Sequence, residues 1–129
     1  PTLAPAVGVL TAGFGLRADP FTGRQEFHTG IDISSPKGGR IVAPANGTVV
    51  RVGWANGYGR IVEVAHGFGI RTIYAHLEVP RVAEGQRVGR GDLIGIVGST
   101  GRSTGPHLHY EVQVGGQPVN PLDYVLNAF

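Results

Sequence analysis

The chain has 129 residues and a hydrophobic fraction of 41%, which suits one domain with its own core and excludes a disordered segment. Its formal charge is only +2, and no two of its 11 basic residues are adjacent, so a nucleic-acid partner is excluded despite an isoelectric point of about 9.4. Cysteine is absent, ruling out disulfides, iron–sulfur clusters and a thiolate nucleophile, and no apolar run reaches the ~18 residues of a membrane span.

Glycine is the compositional outlier, with 22 residues against an ordinary share of about 7%. No Gly-X-Y period accompanies it, so the excess reads as tight turns between short strands. In chain order the predicted strands are VGVLT, IDIS, RIVA, GTVVRVGW, RIVEVAH, IRTIYAH, LIGIVG and HLHYEVQV, each β-branched or aromatic and bounded by Gly, Pro or Asn. RIVEVAH and IRTIYAH are separated by GFG, which predicts a hairpin. Alternation puts Ile61, Glu63 and Ala65 on one face and Val62, Val64 and His66 on the other. A helix is predicted only at the C-terminal end, in NPLDYVLNAF, where Asn120 suits an N-cap and Pro121 the first helical position. The expected fold is mainly β, with antiparallel sheets in a compact barrel- or sandwich-like single domain and a short C-terminal helix. The first residue is not Met, so residues 1–129 are expected to be one domain excised from a longer chain.

Two cofactor-carrying readings fail on their key residue. VPRVAEGQRVGRGDLIGIVG resembles the texture of biotinyl and lipoyl carriers, but the single lysine, Lys37, lies far from it. GSTGRSTG is rich in glycine, yet it lacks the Gly-Lys-Ser/Thr ending of a phosphate loop and leads into a strand instead of a helix.

The five histidines are His28 in FHTGID, His66 in VAHGFG, His76 in YAHLE, and His107 and His109 in GPHLHYE. A catalytic zinc site needs three protein ligands from imidazole and carboxylate, plus an open position. On a regular strand His28 and Asp32 would be about 13 Å apart, too far for one ion, so the chain must turn between them, and Gly30 could permit it. His107 and His109 share a strand face, with Cα atoms about 6.6 Å apart, while Leu108 points into the core. Spacing leaves open which of the two binds a metal. His66, at a hairpin edge, reads as a hydrogen-bonded structural residue.

FHTGIDIS, APANGTVVRVGW, NGYGRIVEVAHGFGIRTIYAHL and EGQRVGRGDLIGIVGSTGRSTGPHLHYEV, in that order, resemble the zinc metallopeptidase domains of the lysostaphin and LytM type, the M23 peptidases. The likeness spans roughly residues 10–115. It implies one Zn2+ held by His28, Asp32 and His109, with His76 and His107 as the non-ligand catalytic pair. Zinc in such a site can bring the pKa of water down to about 7. His107 would then accept the water proton, and His76 would orient the water or stabilise the oxyanion. Tyr58 and Tyr74 are possible groove residues, with plain packing the competing reading.

The family likeness also implies a monomeric catalytic domain acting on peptidoglycan peptides in the cell envelope, periplasmic or extracellular. The DPFTGRQEFHTGID opening is similar to Gram-negative members and favours a D-alanyl–diaminopimelate cross-link over a glycine bridge. Some members have lost ligands and activate other wall hydrolases. Here every motif position is filled, which favours the enzyme over a non-catalytic wall-binding or amidase-activating domain. A phosphotransfer module with paired histidines would have no use for Asp32.

Overall fold

The strands follow from where the β-branched runs stop. In the computed structural model, residues 3–124 are described apart from 20, 102 and 104. They form β1 (Val9–Ala12), β2 (Gly15–Ala18), β3 (Gln25–His28), β4 (Ile31–Ser34), β5 (Arg40–Val42), β6 (Gly47–Ala55), β7 (Gly59–Gly67), β8 (Ile70–Pro80), β9 (Arg87–Val88), β10 (Leu93–Val97), β11 (His107–Val114) and β12 (Gln117–Val119). All eight predicted strands are present. The GFG hairpin is also there, joining β7 to β8 with φ of 86°, 54° and 75° at Gly67, Phe68 and Gly69. Glycine supplies two of those left-handed positions without steric cost.

The larger sheet runs β1-β4-β11-β8-β7-β6-β9, with β10 on β5 and β8 and β12 on β11; β2 and β3 form a separate two-stranded sheet. Every pairing among the described residues is antiparallel. The larger sheet does not close on itself, so the barrel alternative is corrected to an open sheet. One core cluster lies against it, including Ile31, Ile33, Val62, Val64, Tyr74, Leu77, Leu108, Tyr110 and Val112. Burying each of the larger aliphatic side chains contributes ~1.5–3 kcal/mol. On β11 the strand period sends Leu108, Tyr110 and Val112 to this core and leaves His107, His109 and Glu111 on the other face.

The expected C-terminal helix is also corrected. Only a 3-10 turn, Pro121–Tyr124, is described, and residues 125–129 lie outside the described part. Asn120 caps it as expected, accepting from the Leu122 N–H on Oδ1 (3.1 Å) and from the Asp123 N–H on its carbonyl (3.1 Å). The second bond spans three residues, which is 3-10 bonding.

The β2–β3 hairpin escaped the strand pattern because GLRA and QEFH contain no β-branched residue. Its turn is built by Asp19, whose Oδ1 accepts from Phe21 N (2.7 Å) and Thr22 N (3.1 Å) while its carbonyl accepts from Gly23 N (2.8 Å). An Asp closing its own turn in this way is a recognised turn device.

Candidate metal centre

Strand register brings the acidic and basic groups together. β11 pairs with β4 so that His109 faces Asp32, 77 residues away in sequence, and the two side chains leave the sheet on one face. His109 Nδ1 lies 2.8 Å from Asp32 Oδ1. His28 arrives from the other sheet, at the end of β3, and its Nε2 is 3.4 Å from Asp32 Oδ2. The chain crosses between the sheets in two residues, Thr29 and Gly30.

Gly30 is required there for a different reason from the expected one. Its φ is not positive; instead, a Cβ on it would collide with the Tyr110 carbonyl and the Glu111 Cγ. Close approach to β11, not left-handed backbone, demands glycine at this position.

The ligand atoms of His28, Asp32 and His109 all lie within 4.8 Å of one another. Corners of a tetrahedron with bonds of ~2.1 Å are about 3.4 Å apart, so the contacts to Asp32 suit a shared ion. The remaining ring nitrogens fit as well. His28 Nδ1–H donates to the Gly13 carbonyl (2.8 Å), and His109 Nε2–H donates to Glu111 Oε2 (2.8 Å). Each ring is thereby set to offer its other nitrogen toward Asp32, as metal-binding histidines are usually held. The donor set fits zinc.

Charges reinforce the arrangement. Burial alone would raise the Asp32 carboxyl, but hydrogen bonds and charge from His109 and His28 hold it well below the usual range. Burial would push His109 down, yet hydrogen bonds and charge from Asp32 and Glu111 raise it to about 9. A positive charge is therefore favoured at this point, whether carried by a proton or by a metal.

His107 and His76 sit beside the three. His107 Nδ1 lies 2.8 Å from the Gly105 carbonyl and 3.2 Å from Ser103 Oγ, and its Nε2 is 3.8 Å from Asp32 Oδ1. His76 is aimed by a β-bulge: between the pairs Arg60↔Leu77 and Val62↔Tyr74, β8 carries one residue more than β7. His76 itself takes φ of 64°, a left-handed conformation that costs a non-glycine residue ~1–3 kcal/mol. Its Nδ1–H donates to the Thr100 carbonyl (2.6 Å) and its backbone N–H to Tyr58 O (2.8 Å). Burial pushes the ring down to about 4, against the opposing Thr100 bond, so it is neutral at ordinary pH. The Thr100–Gly101 backbone can approach because Gly59 opposes it; a Cβ there would meet Thr100 C at 2.5 Å.

The two tyrosines part company. Tyr58 lines the groove, stacks on His109 (ring centroids 5.6 Å, interplanar 29°) and donates its hydroxyl to Glu111 Oε2 (2.8 Å). Tyr74 is not a groove residue. It is fully buried in the core with its hydroxyl on Thr72 (2.6 Å), because the bulge re-aims His76 and leaves Tyr74 on the core side. His66 bonds Asn46 O (2.8 Å) and Thr72 Oγ1 (2.7 Å), so both its ring nitrogens are engaged away from the site.

Sequence reasoning missed three groups. Glu111 continues the period of HLHYE and could have been read from it. Thr29 donates to Glu111 Oε2 (2.7 Å), and Arg17 Nη1–H donates to Asp32 Oδ2 (3.3 Å) from the hairpin; neither carries a local signal. Arg17, together with His28, Asp32, His76, His107 and His109, lines a groove of about 700 Å³ that also carries Phe21, Glu26 and Phe27.

Two imidazoles and a carboxylate converging in an open groove, with two further imidazoles beside them, define the site type of a metal-dependent hydrolase. The chain belongs to peptidase family M23, whose model matches residues 26–121. It is 47% identical over 117 residues to the DD-carboxypeptidase/endopeptidase Mpg of Neisseria meningitidis, covering 91% of this chain but only 27% of that protein. Among solved structures it resembles a zinc-containing peptidase from Vibrio cholerae (TM-score 0.83, 38% identity, 92% of this chain and 37% of that one). The catalytic domain of lysostaphin from Staphylococcus simulans is also similar (TM-score 0.82, 31% identity, 89% of this chain and 90% of that one).

Proposed function

We propose that the domain is a zinc endopeptidase that cuts D-alanyl–diaminopimelate cross-links of peptidoglycan. One observation carries the reading: His28, Asp32 and His109 converge while the second nitrogen of each histidine is already satisfied by the protein. When bound, zinc would supply a Lewis acid that activates water near neutral pH and polarises a carbonyl.

The chain's own groups supply the rest. With Nδ1–H given to Gly105, His107 presents a bare Nε2 to the groove and accepts a water proton as general base. Oxygen adds to the scissile carbonyl carbon, the C–N bond breaks, and the proton passes from His107 to the leaving amine. His76, neutral and with Nδ1–H given to Thr100, also presents a bare Nε2. It can accept from the water but has no proton to donate to an oxyanion, so orienting the water is its role. Tyr58 contributes a wall of the groove beside His109.

The substrate assignment rests on the resemblance to Mpg, whose name describes DD-carboxypeptidase and endopeptidase activity. Action on the wall implies work in the cell envelope, periplasmic or extracellular. No helix among the described residues is long and apolar enough to cross a membrane. The ligand set His28, Asp32 and His109 and the pair His76 and His107 are complete within one chain, which supports a monomeric catalytic domain.

Mass spectrometry of muropeptides released from sacculi of defined cross-linking tests activity and bond together. The zinc-loaded domain should convert cross-linked dimers to monomers, and His107→Ala should lose this while keeping zinc. Intact dimers after incubation with the zinc-loaded wild type would refute the proposal.

A further inference from the structure

The most deeply buried acid near the centre belongs neither to the ligand set nor to the catalytic pair. Glu111 is 2% exposed, and its Oε2 alone accepts three hydrogen bonds of 2.7–2.8 Å, from His109 Nε2–H, Thr29 Oγ1–H and Tyr58 O–H. A carboxylate this buried is tolerated only when fully partnered.

Each donor belongs to a different arm of the site. His109 is on β11. Thr29 lies in the two-residue crossing between His28 and Asp32. Tyr58 ends the β6–β7 turn, and its carbonyl accepts from the His76 backbone N–H (2.8 Å). Gly30 lets the crossing run close enough for Thr29 to reach, since any Cβ there would meet Glu111 Cγ at 2.9 Å.

We propose that Glu111 is a positioning residue that presets the metal centre: it fixes the His109 ring with Nδ1 toward Asp32 and clamps the crossing that carries His28 and Asp32. The inference rests on the zinc-centre reading above and adds a role for a residue outside both the ligand set and the catalytic pair. Without Glu111, the His109 ring has no acceptor for Nε2–H, and rotation about its side chain would place either nitrogen toward Asp32. The Thr29 hydroxyl would also lose its hold on β11. Loss of such a carboxylate partner typically weakens metal affinity 10–100-fold.

The test is zinc affinity of the whole domain, measured by competition with a chromophoric chelator, for wild type, Glu111→Gln and Glu111→Ala. Glu111→Gln keeps the shape and one acceptor oxygen and should bind about 10-fold more weakly. Glu111→Ala should bind about 100-fold more weakly. Cobalt(II) substitution supplies a spectroscopic signature, and the visible bands of Glu111→Ala should shift from wild type because ring orientation changes.

A third measurement needs no variant. In the zinc-loaded wild type the His109 Nε2 proton should appear in NMR as a strongly downfield, slowly exchanging resonance. Affinity within twofold of wild type in both folded variants would overturn the proposal. So would a His109 that carries its proton on Nδ1 in the zinc-loaded wild type, even if the variants fail to fold. A wild-type domain that binds no zinc would overturn the zinc-centre reading itself, and this inference with it.

Discussion

Substituting Gly30 by Ala should disrupt the site through one methyl group. The added Cβ would collide with the Tyr110 carbonyl, a backbone atom held in the β11–β4 ladder at Tyr110↔Ile31. Neither partner is a flexible side-chain tip, so the crossing must retreat by about 1 Å, an overpacking cost of ~1–3 kcal/mol. That is a sizeable share of the ~5–15 kcal/mol by which a domain is usually stable. The same retreat moves Asp32 and His28 against His109, and a misplacement of about 1 Å costs a catalytic site roughly 10²-fold in rate. Urea denaturation followed by Trp54 fluorescence reads the first effect, and muropeptide release reads the second. Gly53→Ala is the control, because Gly53 lies within β6 without positive φ, and no atom stands within 4 Å of the place its new methyl would take. It should be neutral or stabilising, since glycine within a strand costs ~0.5–1 kcal/mol relative to alanine. A Gly30→Ala protein as stable and active as Gly53→Ala would refute the close-approach argument.

His76→Gly should lower muropeptide release about 10²-fold or more with zinc retained. Burial lowers the His66 pKa below its ordinary 6.5, against an opposing bond to Asn46. Between the lowered value and about 6.5 the unfolded chain binds more protons, so this contribution to stability is full above pH 6.5 and is lost as pH falls through that window. Urea melts at pH 5 and pH 7 should accordingly show a smaller pH effect in His66→Gln than in wild type. Chelation should abolish muropeptide release and lower the melting temperature, since a ligand at 100 times its Kd adds about 2.7 kcal/mol; calorimetry with and without chelator checks it.

Much of this was legible because strand chemistry is local. The β-branched runs, the GFG turn and the alternation of HLHYEV are all readable within a few residues, and so is the division of Leu108 from its flanking histidines. What was not legible depends on distant backbone. The pairing of Asp32 with His109 is a register between strands 77 residues apart. In a regular strand Tyr74 and His76 would share a face; the extra residue in β8 breaks that rule, no local motif announces it, and it decides for Tyr74 between groove and packing. The β2–β3 hairpin lacks apolar alternation because it forms a groove wall, with Arg17 and Glu26 facing each other across the pair and Leu16 and Phe27 largely exposed. The C-terminal segment had a correct cap and too little described helix to follow it.

The two sheets bear on the metal in one more way. His28 belongs to the small hairpin sheet, whereas Asp32 and His109 belong to the large one. An ion shared by the three is a cross-link between two separately hydrogen-bonded bodies. Near the site the hairpin is also fastened by the Arg17–Asp32 contact at 3.3 Å, the bond from His28 to Gly13 and the edge-on contact of Phe27 with Phe14. The groove wall should therefore stiffen when metal is added, and amide exchange in Gly15–Ala18 and Gln25–His28 should slow far more than in the β7–β8 centre. The ion that serves the chemistry would then also set the width of the cleft into which the peptide must fit.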